Sequence, residues 1–113
     1  MPVQHPLPDN LVELIAQRFR ALSDPTRIKL LDHLREGEAS VQELTQAIGS
    51  SPQNTSKHLG VLHGAGIVGR RRSGNFVYYS IVDEGVFTLC EDVCGTLRTQ
   101  YESLGQIVGA AGG

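Results

Sequence analysis

The stretch from Ser40 to Gly66 constrains this chain more than any other, because it carries two complete sets of helix punctuation only a few residues apart. Ser40, followed three residues later by Glu43, is a capping box. The hydroxyl accepts from a backbone N–H of the first turn, and the carboxylate accepts from the N–H of the cap itself. The box opens "VQELTQAI", and Gly49 closes it. Ser51 and Pro52 then supply a fresh cap and a first helical residue that needs no N–H partner. The helix so opened, "PQNTSKHLGVLHGAG", has Leu59 and Leu62 on its apolar side with Val61 flanking. Two short helices on either side of the tight turn "IGSS" have the layout of a helix-turn-helix. Helical hairpins of many folds share that layout, so the flanking sequence has to discriminate.

Upstream, "PDNLVELIAQRFRALSD" places Leu11, Leu14, Ile15, Phe19 and Leu22 at a helical period. Asp24 and Pro25 read as cap and first residue of a second helix, "TRIKLLDHLREG", predicted to bury Ile28, Leu31 and Leu34 and to stop at Gly37. Downstream of Gly66, "IVGRRRSGNFVYYSIV" reads as a β-hairpin. Val68 belongs to its first strand, and Phe76, Tyr78 and Ser80 alternate with Val77, Tyr79 and Ile81 in its second. Ser73-Gly74-Asn75 make the turn, with Arg70, Arg71 and Arg72 leading into it. A final helix from about residue 84 carries Phe87, Cys90, Cys94, Leu97, Tyr101, Leu104 and Val108 at alternating steps of three and four. Those steps make the seam of a two-helix packing. Part of that helix can dock on its own domain, through Leu89 and Val93 as well. The economical partner for the seam is the same helix of a second chain. The expected fold is mainly α with a small β-hairpin, a winged helix-turn-helix in the order α-α-α-α-β-β-α, homodimeric through its terminal helices. Residues 1–9 are expected to be a flexible arm, 10–108 one domain with dimerisation helices at 10–22 and 84–108, and 109–113 a flexible tail.

The net charge of −2 hides an asymmetry. Every acidic residue lies at or before Glu43 or at or after Asp83, and the interval holds Lys57, Arg70, Arg71, Arg72, His58 and His63. A solvated basic face would account for the charge alone, but its placement points to a polyanion. Arginines on a projecting turn support a core poorly and clamp phosphates or enter a minor groove well. The first turns of the second short helix offer neutral donors and acceptors, a cation and the helix's own positive end, with no acid to repel a phosphate backbone. Gln53, Asn54 and Thr55 are the expected base-edge residues, and Ser51, Ser56 and Lys57 lie nearer phosphate. His58 is counted with them, although covering the neighbouring helix is an equal reading. Arg70, Arg71, Arg72, Ser73 and Asn75 complete the expected surface for double-stranded DNA.

Three segments taken in order, "LSDPTRIKLLDHL", "SVQELTQAIGSSPQNTSKHLGVLHGAGIV" and "GRRRSGNFVYYSI", resemble the ArsR/SmtB family of bacterial winged-helix repressors, over roughly residues 11 to 108. The resemblance implies a homodimer whose interface is built from the first and last helices, here including Leu11, Leu14 and Ile15. It implies an operator near the protein's own gene and release by a ligand, often a metal ion. Two-fold symmetry would set the two recognition helices roughly 34 Å apart and make the operator pseudo-palindromic.

The family's usual ligand positions are not matched. The third helix has Val41-Gln42-Glu43-Leu44-Thr45 where thiol ligands would be needed. The zinc-type pattern of the last helix aligns with Asp83-Glu84-Gly85, Thr96 and Thr99, keeping one ligand of four. The second helix, "RIKLLDHL", has no cysteine for a persulfide-type pair. "LCEDVCG" remains. Cys90 and Cys94 are one helical turn apart and can share a thiophilic metal or metalloid ion, with four sulfurs available in a dimer. Glu91 and Asp92 would raise their pKa if close, and an intrahelical disulfide is awkward at that spacing. The alternative is that both cysteines simply pack in the apolar seam.

No phosphate-binding glycine loop, nucleophile elbow or paired carboxylates point to an enzyme. The N-terminus does not read as a signal peptide, and no segment has the apolar length to span a membrane, so the chain is expected in the cytoplasm. The rival readings are a winged helix used for protein contacts and a DNA-binding protein without an inducer.

Overall fold

The computed structural model describes residues 4–107 of the 113-residue chain, with side-chain surroundings through Glu102. Residues 1–3 of the expected arm, the whole expected tail, Val108 and the side chain of Leu104 therefore lie outside the described residues. The chain divides into two compact units, one ending at Val82 and the other beginning at Asp83.

The first unit runs α1 (Asp9–Leu22), α2 (Pro25–Leu34), β1 (Ala39–Ser40), α3 (Val41–Ile48), α4 (Pro52–Gly64), β2 (Val68–Ser73) and β3 (Phe76–Ile81). The starts of α2, α3 and α4 fall where side chains can satisfy orphan backbone groups. Asp24 accepts from the N–H of Arg27 to start α2 ahead of Pro25. Both bonds of the capping box at α3 are made, Ser40 Oγ accepting from Glu43 N at 3.1 Å and Glu43 Oε1 accepting from Ser40 N at 3.0 Å. Gly49 ends α3 in the left-handed region, at φ 66°. Ser51 Oγ then accepts from Asn54 N at 3.1 Å to start α4.

The core lies among α2, α3, α4 and the base of the hairpin, where Leu30, Leu34, Leu44, Leu59, Leu62, Ile67 and Tyr79 are buried. One expectation about it fails: Ile28 is 55% exposed, whereas Leu30 is fully buried beside Leu31 and Leu34. Leu30, Leu31 and Leu34 form the inward stripe. At about 100° per residue, Ile28 lies roughly 120° around the axis from Leu34 and falls off that face.

The sheet has a third strand that the sequence did not reveal. Its order is β1-β3-β2, all antiparallel, with Ala39 opposite Tyr79 and Ser40 opposite Tyr78. A two-residue strand has no alternation to read. Ser73 pairs with Phe76, leaving a two-residue loop, Gly74-Asn75, in which Gly74 takes the positive φ that such loops require.

The described residues of the second unit form one helix, α5 (Glu84–Ile107), and the side chain of Asp83 caps it by accepting from Val86 N at 3.0 Å.

Candidate nucleic-acid interface

On α4 the buried residues are Thr55, His58, Leu59 and Leu62, spaced as one helical stripe. Gln53, Ser56, Lys57 and Gly60 lie on the exposed side, with Ser51 at the exposed cap. Asn54 is half-buried and its Nδ2 donates to Ser50 Oγ at 2.8 Å, so its amide plane is fixed.

Two residues expected on the outer surface lie inside. Thr55 is fully buried, and its hydroxyl donates to the carbonyl of Ser51 at 2.9 Å. The signal was present in the sequence, since Thr55 precedes Leu59 and Leu62 by four and seven positions. His58 is also buried, its Nδ1 3.1 Å from Arg27 Nη1 and 3.7 Å from Asp24 Oδ2. Of its two readings, covering the neighbouring helix is the one realised. Arg27 gathers the surroundings, because its Nε also donates to the carbonyl of Ala21 at 2.6 Å and its Nη2 to that of Arg20 at 3.3 Å. The end of α1, the start of α2 and the middle of α4 are thereby tied through one guanidinium. Asp24's carboxyl is held below its ordinary value chiefly by the backbone N–H of Arg27, helped by the charges nearby.

The hairpin faces α4 across an open groove of about 420 Å³ lined by Val41, Ser56, Arg70, Arg71, Arg72, Val77 and Tyr79. No carboxylate lines it. Strand register sorts the arginines. Arg70 pairs with Tyr79 and Arg72 with Val77, so these four share one face of the hairpin. Arg71 pairs with Tyr78 and belongs to the opposite face. There its guanidinium sits over the Tyr78 ring, 4.7 Å from the centroid. It also donates twice to Glu38, from Nε to Oε2 at 2.7 Å and from Nη2 to Oε1 at 2.6 Å. These bonds hold the Glu38 carboxyl below its ordinary value and push the Arg71 guanidinium up. Glu38 and Tyr78 had no signal in the sequence, because Glu38 lies outside the acid-free interval and 33 residues from its partner. Ser73 and Asn75 are exposed at the hairpin tip, as expected.

Apolar side chains remain uncovered on the terminal helices. On α1, Leu14 is 59% and Phe19 53% exposed, with Ile15 and Val12 also outside and Leu11 half-buried. On α5, Val93, Leu97 and Tyr101 are exposed, while Phe87 is half-buried. Neither cysteine is in a disulfide, Cys90 being half-buried and Cys94 exposed. Among the described residues, no three His, Cys, Asp or Glu side chains are grouped to hold a metal ion. Two positions aligned with the zinc-type pattern have local duties instead: Asp83 caps α5, and the Thr99 hydroxyl donates to the Gly95 carbonyl at 3.1 Å.

Comparison with known proteins places these elements in context. A helix-turn-helix domain model matches residues 22–71. The transcriptional regulator KmtR of Mycobacterium tuberculosis is 39% identical over 87 residues, covering 77% of this chain and 67% of that protein. A homologue of the transcriptional repressor SmtB from a Synechocystis species is 36% identical over 84 residues, covering 74% of this chain and 64% of that protein. The chain thus spans about two thirds of the length of these curated relatives. Among solved structures, the homodimeric winged helix-turn-helix DNA-binding domain of a Mycobacterium bovis protein superposes with a TM-score of 0.78 at 29% identity, over 88% of this chain and 95% of that one.

Proposed function

The chain belongs to the ArsR/SmtB family of winged-helix transcriptional regulators, and from that premise we propose that it is a homodimeric repressor that binds a pseudo-palindromic DNA operator and lets go when Cys90 and Cys94 are engaged. One observation carries the DNA reading: Ser56 of α4 and the hairpin arginines Arg70, Arg71 and Arg72 line a single groove without a carboxylate. Gln53 is the base-reading residue, with Asn54 beside it offering its amide oxygen. Ser51, Ser56, Lys57, Arg70, Arg72, Ser73 and Asn75 serve phosphate and sugar, which set register and orientation. Thr55 and His58 support the helix from behind.

Exposed apolar residues on α1, and separately on α5, support a second copy as partner, since a monomer seldom leaves such residues in water. Pairing of α5 with its copy along its own seam brings Cys90 and Cys94 to the subunit contact. The residues fit a thiophilic ion only in part. Two soft thiols one turn apart can bind it, but a closed tetrahedral set needs donors from the second copy. An ion held there, or a disulfide across the dyad, changes the angle between the subunits and spoils the half-site spacing. Coupling of this kind is reciprocal, so DNA must weaken the ligand by the same factor. Among the described residues no helix is long and apolar enough to cross a membrane, and a cytoplasmic place suits a DNA partner.

The test is fluorescence anisotropy of the reduced protein on DNA from upstream of its own gene, titrated with Zn(II), then arsenite, then a mild thiol oxidant. Release by one of these, abolished in Cys90→Ser/Cys94→Ser, supports the whole reading. Tight binding unmoved by all three leaves a DNA-binding protein and refutes the thiol switch. Absence of binding to any such duplex at low salt refutes the repressor itself.

A further inference from the structure

We propose that Arg71 does not contact DNA and that the Glu38–Arg71 pair is a strut fixing the hairpin against the β1 edge, so that Arg70 and Arg72 alone carry the wing's charge to the phosphates. The inference rests on the DNA-binding reading above and divides labour among three neighbouring arginines that the sequence presents as equivalent.

Geometry separates them. Period-two alternation puts Arg71 on the hairpin face opposite Arg70 and Arg72. Glu38 immediately precedes β1, and Ser40, two positions on, pairs with Tyr78. Glu38, Ser40, Tyr78 and Arg71 therefore share one face of the three-stranded sheet. The carboxylate engages the guanidinium by the two-bond fork that a phosphate would otherwise use, at 2.7 and 2.6 Å, and the Tyr78 ring covers the guanidinium at 4.7 Å. A cation held so is geometrically committed and already neutralised. For Arg71 to bind a phosphate it would have to exchange one oxyanion for another and gain little. Arg71 lines the same groove as Arg70, Arg72 and Ser56, but only its guanidinium is engaged by a carboxylate there, and its two neighbours give up nothing comparable. β3 is paired on both edges, to β1 and to β2. A link from the segment before β1 to the middle of β2 therefore spans all three strands and resists tilting of the hairpin relative to α3, which begins at the residue after β1.

The experiment compares the dependence of DNA affinity on salt among single variants. Removing a cation that neutralises one phosphate lowers the slope of log affinity against log salt by about 0.9 per protomer engaged. Arg70→Gln and Arg72→Gln are expected to lower it by that amount, and Arg71→Gln to leave it at the wild-type value even if affinity falls. A slope lowered in Arg71→Gln as in its neighbours overturns the proposal. A charge exchange gives a second reading: Arg71→Glu alone should weaken DNA binding, and Glu38→Arg/Arg71→Glu should recover most of it. A phosphate-binding role at position 71 would not be rescued by that exchange, and lack of rescue counts against the strut. Without DNA, hydrogen exchange at the amides of Arg70 to Val77 should quicken in Glu38→Gln, and unchanged exchange overturns the proposal on its own. A wild-type protein that binds no duplex refutes the DNA reading, and the exchange measurement still decides the strut.

Discussion

Replacing Thr55 by valine separates a residue that reads DNA from one that holds the reading helix in place. Thr55 is fully buried, and its hydroxyl makes one hydrogen bond, 2.9 Å to the carbonyl of Ser51. Valine keeps the shape and removes that bond. The acceptor is not orphaned, because the N–H of Thr55 itself also donates to Ser51 O at 2.9 Å. The cost is therefore that of one intramolecular hydrogen bond, about 0.5–1.5 kcal/mol, without the further desolvation penalty of an unpaired buried group. For a domain near this size that is a fall in Tm of about 4–8 °C per kcal/mol. The comparison is Gln53→Ala. Gln53 is exposed and outward, so its removal should change stability by less than about 0.5 kcal/mol. It should nevertheless cost about 1–3 kcal/mol of discrimination at one base pair. Urea unfolding at one fixed protein concentration, which a dimer requires, and anisotropy on cognate and single-substituted duplexes measure the two quantities. The two variants should fall on opposite axes. A Thr55→Val protein of wild-type stability with weakened DNA binding would refute the reasoning, because it would place the hydroxyl on the outer face of α4.

Other consequences follow from the same geometry. Ser40→Ala removes the acceptor of the α3 capping box and should cost about 1 kcal/mol in urea unfolding, with DNA slope unchanged. Glu38's carboxyl is held below its ordinary value of 4.5 by Arg71, so the pair's contribution is fully present above that pH and disappears as pH falls through the lowered value. The stability difference between wild type and Glu38→Gln should accordingly be flat from about pH 6 to 7 and shrink in acid, as pH-dependent urea midpoints would show; a difference that grew in acid would contradict the sign. Leu97→Asp, at an exposed apolar position of α5, should raise the dimer dissociation constant about tenfold or more by analytical ultracentrifugation, while intact far-UV circular dichroism shows the fold retained.

The sequence by itself determined everything whose physics is local. Helix starts and stops at Asp24, Ser40, Gly49 and Ser51 depend on bonds between residues three or four apart, and the hairpin depends on alternation and one glycine at the turn. These need no knowledge of what packs on what, so the helices, the wing and their order were legible, and with them the acid-free interval between Glu43 and Asp83. Which side of each element faces inward was legible only where several apolar residues mark it. Leu59 and Leu62 marked the inward stripe on which Thr55 lies, whereas the place of His58 and the choice between Ile28 and Leu30 in α2 were settled by packing.

The tertiary structure alone decided the long-range partners of charged side chains. His58 finds Arg27 across 31 positions and Arg71 finds Glu38 across 33. Nothing local encodes such pairs, because a two-residue strand too short to show a pattern brings the second pair together. The sequence therefore presents three equivalent arginines, and the fold makes two of them available and holds the third, since a long, flexible cation takes the nearest well-placed carboxylate once the sheet has formed.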